Sequence, residues 1–264
     1  MPYNIENYID KNKNIDKNIL LQLAIDDQDI DLIKELFQYG KPYFDLDQAL
    51  IKAAKIGSEA ILNLIWHRVT NLVQYTFDHD VICFALDYVC KNDNLPVFKN
   101  IYDYFQFNME EDYHYFCVVF GAACEYNAKN IIEYSLENRL YAYQSGISAA
   151  IRTNNIDLMK YLIDKNNNDE EEWEDLNEEN FLFDACTSNN RNILIYLLNN
   201  NIIFNINRKY LTKKDIIFIM DCLYEITTLK RHSEILNDHK MCNIIEKVTN
   251  RDVANNVLKY LISI

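Results

Sequence analysis

A pattern of apolar residues at helical spacing recurs six times between Leu20 and Leu198, and it constrains the fold more than any other feature of the chain. The clearest copy is Gly146 to Lys165, GISAAIRTNNIDLMKYLIDK. Ile147, Ala150 and Ile151 share one face of a short helix. After a break at Asn154-Asn155, Ile156, Leu158, Met159, Leu162 and Ile163 form the wider stripe of a second helix. Neither helix can hide its apolar face alone, so such a unit needs neighbours. The other copies begin at Leu20, Leu50, Leu86, Phe120 and Leu182.

Each aligned position has a physical task. A core position in the first helix, called the anchor here, is occupied by Ala24, Ala53, Val89, Ala123, Ala150 and Ala185, at intervals of 29, 36, 34, 27 and 35 residues. Five of the six are small, which lets helices approach closely. Three residues earlier comes a larger apolar group: Leu21, Leu50, Leu86, Phe120, Ile147 or Leu182. Four residues after the anchor stand Gln28, Gly57, Asp93, Asn127, Asn154 and Asn189. Gly and Asn tolerate the left-handed backbone that ends a helix and Asp does so less readily; Gln28 is the exception. The pairs Leu32-Ile33, Ile61-Leu62, Val97-Phe98, Ile131-Ile132, Leu158-Met159 and Ile193-Leu194 are expected to line the buried stripe of each second helix. Ser135 interrupts that stripe in the fourth unit.

This pattern resembles the ankyrin repeat, whose units run Leu-x-x-Ala-Ala-x-x-Gly-x-x-x-(Val/Ile)-(Val/Leu)-x-x-Leu-Leu. Leu50, Ala53, Ala54, Gly57, Ile61, Leu62 and Ile65 match it best. Ile147, Ala149, Ala150, Ile156, Leu158, Leu162 and Ile163 follow, and Gly40 stands where the family keeps a glycine after the second helix. The resemblance covers residues 18–205. No Thr-Pro-Leu-His opens any helix, and the Gly-Ala-Asp turn is absent, so plain helix pairs with irregular loops are expected in place of β-hairpin fingers. Degenerate repeats rich in Asn, Ile, Lys and Tyr are similar to the ankyrin-like multigene-family proteins of large cytoplasmic double-stranded DNA viruses.

The expected fold is therefore all-α: a solenoid of stacked helix-turn-helix repeats. Residues 1–17 form a polar lead-in, 18–205 the six repeats, and 206–264 divergent C-terminal capping helices of the same continuous domain. Four glycines and three prolines leave little material for a turn-rich β architecture. Pro96 fits the first turn of a second helix, where a missing N–H costs nothing. Lys214 to Thr227, Cys242 to Val248 and Asp252 to Ile264 keep apolar residues at helical spacing.

With 40 acidic against 26 basic residues the formal charge is −14, which opposes binding to nucleic-acid phosphates or anionic membranes. The best basic cluster, Lys209, Lys213, Lys214, Lys230 and Arg231, reads as a solvated helix face. No apolar run approaches the roughly 18 residues that span a bilayer, and the N-terminus has no signal-peptide core. Seven cysteines without a Cys-x-x-Cys pair fit a reducing compartment, so a cytoplasmic location is expected. The aromatic-rich stretch 99–116 reads as core filling, with a partner patch as the alternative. Asn166 to Glu179, an acidic run around Trp173, reads as an exposed inserted loop, with an acidic docking motif as the alternative.

The chain has no Gly-rich phosphate loop, His-Glu-x-x-His or Gly-x-Ser-x-Gly. Cys83 with Cys90 and Cys117 with Cys124 are spaced two helical turns apart and read as packed thiols; His232 and His239, near Cys242, read as surface histidines. No catalytic residue, metal site or cofactor is expected. The resemblance implies a protein-binding module whose contacts come from the two residues before each helix-ending position. These are Asp26 and Asp27, Lys55 and Ile56, Lys91 and Asn92, Glu125 and Tyr126, Arg152 and Thr153, and Thr187 and Ser188. The implied partner is another protein, of the host if the chain is viral. The alternatives are an enzyme with an unrecognised Cys/His site and a self-assembling structural protein.

Overall fold

The computed structural model describes residues 16–38, 44–72, 77–105, 109–168, 178–200, 202 and 211–229. Among them are thirteen α-helices and no strand. They fall into two compact units, Met1–Tyr141 and Ala142–Ile264. The first holds α1 (Lys17–Asp26), α2 (Ile30–Gln38), α3 (Leu46–Ile56), α4 (Glu59–Thr70), α5 (His79–Lys91), α6 (Leu95–Phe105), α7 (Met109–Glu125) and α8 (Lys129–Glu137). The second holds α9 (Tyr143–Arg152), α10 (Ile156–Asn168), α11 (Glu178–Thr187), α12 (Arg191–Asn199) and α13 (Lys213–Leu229). Each of the six sequence units is thus a helix pair.

The first unit is built from two rows. The first helices pack in sequence, α1 on α3, α3 on α5 and α5 on α7, and the second helices α2, α4, α6 and α8 do the same. In the second unit α9 packs on α10 and α11, while α13 packs on both α11 and α12. Every anchor is at most 1% exposed, and every larger residue three positions earlier at most 2%. Burying one such Leu, Ile or Phe stabilises by about 1.5–3 kcal/mol, so these two positions per unit carry much of the core.

The end of each first helix is the same in all six units. Gln28, Gly57, Asp93, Asn127, Asn154 and Asn189 all have positive φ, between 48° and 77°. Their N–H groups donate to the carbonyl one residue after the anchor. The next N–H donates to the anchor carbonyl itself, and all twelve bonds are 2.8–3.2 Å long. Those bonds satisfy carbonyls that a helix end otherwise leaves open. Gln28 is therefore no exception: it takes the left-handed form with the same pair of backbone hydrogen bonds, despite its side chain. Gly57 is the position where a side chain would also collide, since a Cβ there would lie 2.7 Å from Asn94 Nδ2.

The following residue starts the second helix. The side chains of Asp29, Ser58, Asn94 and Asn155 accept from the N–H three residues on, at 3.0, 3.5, 3.3 and 3.2 Å. Second helices are also tied to one another at equivalent positions. Asn100 Nδ2 donates to Asn63 Oδ1 (3.0 Å), Lys99 lies 4.5 Å from the centre of the Tyr134 ring, and Lys160 lies 4.6 Å from that of Tyr196.

Several sequence expectations need correcting. Leu32 and Leu158 are only half-buried, while Ile33 and Met159 are buried. Leu32 belongs to the first described pair, which has no earlier described pair to cover that position. Asn166 is not in a loop but is buried in the last turns of α10, which runs to Asn168, and Glu178 and Glu179 begin α11. Tyr104 and Phe105 are half-buried, not core as expected, and pack against buried Trp66, which stacks on Tyr104 at 4.3 Å and meets Phe77 and Phe105 edge-on. Lys214 to Thr227 falls within α13. Gly40, Phe107, Trp173 with its acidic neighbours, Lys209 and residues 230–264 lie outside the described residues.

Two substitutions test this account. Ala150→Glu buries a charge between packed helices and is expected to cost more than about 3 kcal/mol in urea unfolding. Gln28→Gly removes a left-handed non-glycine residue whose side chain is exposed. The relief of about 1–2 kcal/mol outweighs the added unfolded-state entropy of about 0.4–1 kcal/mol, so the same assay should show a gain of roughly 0.5–1 kcal/mol.

Candidate functional site

The twelve residues suggested as contacts all lie in the final turn of a first helix or just beyond it. Asp26, Asp27, Lys55, Lys91, Asn92, Glu125, Tyr126, Arg152, Thr153 and Thr187 are exposed, and Ile56 and Ser188 are half-buried. They stand where they do because the left-handed residue next to them turns the chain sharply.

Many of these side chains are engaged within the molecule. The residue two positions after an anchor reaches the residue just before the next anchor. Asp26 pairs with Lys52 at 2.6 Å, Lys55 lies 5.6 Å from the centre of the Tyr88 ring, and Arg152 faces Asp184 at 3.7 Å. Lys52 Nζ also donates to the Gln22 carbonyl at 2.8 Å. Tyr126 donates its hydroxyl to Asp87 Oδ2 at 3.4 Å. Asn92, Thr153 and Thr187 fold back on carbonyls of their own helices, Tyr88, Ala149 and Phe183, at 3.0, 2.9 and 2.8 Å. The step from α5 to α7 departs from the pattern: among the described residues Lys91 has no hydrogen bond or ion pair, and Ala122 occupies the position that would face it.

Other ties fix the loops that present this surface. Ala128 has no side-chain acceptor for the start of α8. Asp93, from the preceding unit, supplies it: its carboxylate accepts from the N–H groups of Asn130 and Ile131, both at 3.2 Å, and from Asn130 Nδ2 at 2.7 Å. That cross-unit cap explains an Asp at a backbone position that favours Gly or Asn. Asn94 Nδ2 reaches the Gly57 carbonyl at 3.4 Å, and Asn190 Nδ2 reaches the carbonyls of Ile151 and Arg152.

Sequence reasoning missed an apolar row on the same surface. Five residues before the anchor stand Ile19, Phe84 and Val118, which are 57%, 61% and 44% exposed, with Gln48 between the first two. That position lies four residues before the inter-unit contact position and seven before the suggested contact position. All three therefore share one helical stripe. Its signal was present in the sequence, as apolar residues outside the buried set.

Five of the thiols are held in the protonated form. Burial pushes Cys186 up to about 12 and Cys222 up to about 11. Burial together with the nearby Asp80 carboxylate pushes Cys83 up to about 11. Burial raises Cys90 and Cys124 as well. A raised thiol stays protonated near neutral pH and is a poor nucleophile and metal ligand. Cys90 and Cys124 are packed in the core as expected, whereas Cys83 and Cys117 are half-buried. Among the described residues, no group of three or more His, Cys, Asp or Glu side chains could hold a metal ion, and no helix is long and apolar enough to cross a membrane. Lys213 and Lys214 are exposed in the first turn of α13; Lys230, Arg231, His232, His239 and Cys242 lie outside the described residues.

No family model matches the chain, and no curated protein and no solved structure matches it either.

The cross-unit cap gives a direct test. Asp93→Ala should cost about 1–2 kcal/mol in thermal or urea unfolding, because it leaves the start of α8 without an acceptor. Asp93→Asn keeps an acceptor and suits the left-handed backbone, and is expected to stay within about 0.5 kcal/mol of the parent.

Proposed function

We propose that the protein is a non-enzymatic interaction module, a divergent ankyrin-like solenoid that grips another protein through the surface of its first helices. The observation that carries this reading is the contrast along that surface. Backbone positions recur with one geometry in all six units, while the exposed residues beside them change from Asp26 to Lys55 to Tyr126 to Arg152. A regular frame bearing varied side chains suits recognition of a large, irregular partner. Three exposed apolar side chains on the same stripe add the kind of anchor that protein interfaces favour. The raised thiols give no support to a Cys/His enzyme. The net charge of −14 disfavours nucleic acid and anionic membranes as partners. On this reading the module works in the cytoplasm, that of the host if the chain is viral, as an adaptor or inhibitor.

The test is affinity capture from cell lysate followed by reconstitution with the purified captured protein. The parent is compared with a variant carrying Ile19→Ser, Leu23→Ser, Asp27→Lys, Phe84→Ser and Lys91→Glu, all at exposed positions. The expected outcome is a stoichiometric partner that binds the parent and not the variant, with circular dichroism and melting unchanged. Equal capture by both proteins, or capture of none, would overturn the reading.

A further inference from the structure

The open step between α5 and α7 differs from its neighbours in chemistry as well as in pairing. Phe84, Tyr88 and Lys91 lie at spacings of four and three along α5, so they share one stripe. Phe84 is 61% exposed, and Val118 holds the equivalent position on α7, the helix packed beside it, at 44%. Tyr88 is half-buried beneath Lys55, and Ala122 is too small to rise above the surface. The result is an apolar floor with a cation at one end, seven residues or about 10 Å along the helix from Phe84; the one carboxylate of α5 within a turn of Lys91, Asp87, already accepts the Tyr126 hydroxyl. In the equivalent steps of both compact units the cation is already engaged: Lys52 by Asp26, Lys55 by the Tyr88 ring, Arg152 by Asp184.

We infer that the surface formed by Phe84, Val118 and Lys91 takes a short segment of a partner protein that pairs a bulky apolar side chain with a carboxylate. This deepens the proposed function and rests on it. The apolar side chain covers Phe84 and Val118, and the carboxylate takes the place that Asp184 holds opposite Arg152. Charge selects the segment: a lysine or arginine there would face Lys91 with no carboxylate from α7 opposite it.

The probe is a phage-displayed library of random dodecapeptides selected on the full-length protein. Selected peptides are expected to carry an acidic residue at a fixed distance from a large apolar one. Phe84→Ser should weaken a selected peptide about tenfold or more. Ala122→Asp, which supplies Lys91 with an internal partner, should do the same while leaving Phe84 and Val118 in place. Lys91→Glu should lose the acidic peptide and bind its Asp/Glu→Lys counterpart. Melting temperatures, checked in parallel, should stay near the parent value for Phe84→Ser and Lys91→Glu, whose side chains are exposed. The inference is overturned if selection yields no binder or no acidic–apolar consensus, or if binding is unchanged in Phe84→Ser and Lys91→Glu. A captured partner lost in the five-site variant but kept by these two would sink this site and leave the interaction module standing.

Discussion

The structure depends on one small element, the left-handed residue that ends each first helix together with its pair of backbone hydrogen bonds. The anchor carbonyl accepts the bond that closes the turn, so the residue that must be buried between helices also fixes where the chain reverses. Core packing and loop geometry are thereby coupled in every unit. A glycine at Gly57 and asparagines at Asn127, Asn154 and Asn189 adopt that backbone at low cost. Gln28 and Asp93 adopt it with the same pair of backbone hydrogen bonds, and Asp93 returns something for the strain by capping α8 of the next unit.

That coupling explains how a repeat can diverge in sequence and keep its shape. Ala128 has lost the capping side chain that Asp29, Ser58, Asn94 and Asn155 provide, and the preceding loop has taken over. Ser135 sits in the buried stripe of α8, and its carbonyl accepts the Leu140 N–H at 2.8 Å. Neighbouring units compensate for each other because each contacts the next at the same positions: Asn63 with Asn100 and Lys99 with Tyr134 in one compact unit, Lys160 with Tyr196 in the other.

The same neighbour contacts shape the candidate interaction surface. A list of exposed residues treats Asp26, Lys55, Lys91 and Arg152 as equivalent, since all stand at one position of the repeat. Their partners make them different. Three face an opposite charge or a ring on the next helix, and Lys91 faces Ala122. The chemistry of the surface therefore lies in pairs of residues some 26 to 33 positions apart, and no single unit contains it.

Local periodicity by itself determined that the chain is helical and where its helices turn. Spacings of three and four sort core from surface, and a Gly or Asn four residues past a small buried residue marks a helix end through its own backbone preference. Phe84 and Val118, outside the buried set, were legible on the same grounds as an exposed apolar row. Tertiary structure decided the rest: that Gln28 would be left-handed, that Leu32 and Leu158 would stay half-exposed, that Asn166 would be buried, and that Lys91 would be left without a partner among the described residues. Those outcomes are set by which helix lies alongside, and intervals of 27 to 36 residues with irregular loops do not reveal that to a reading of one unit at a time.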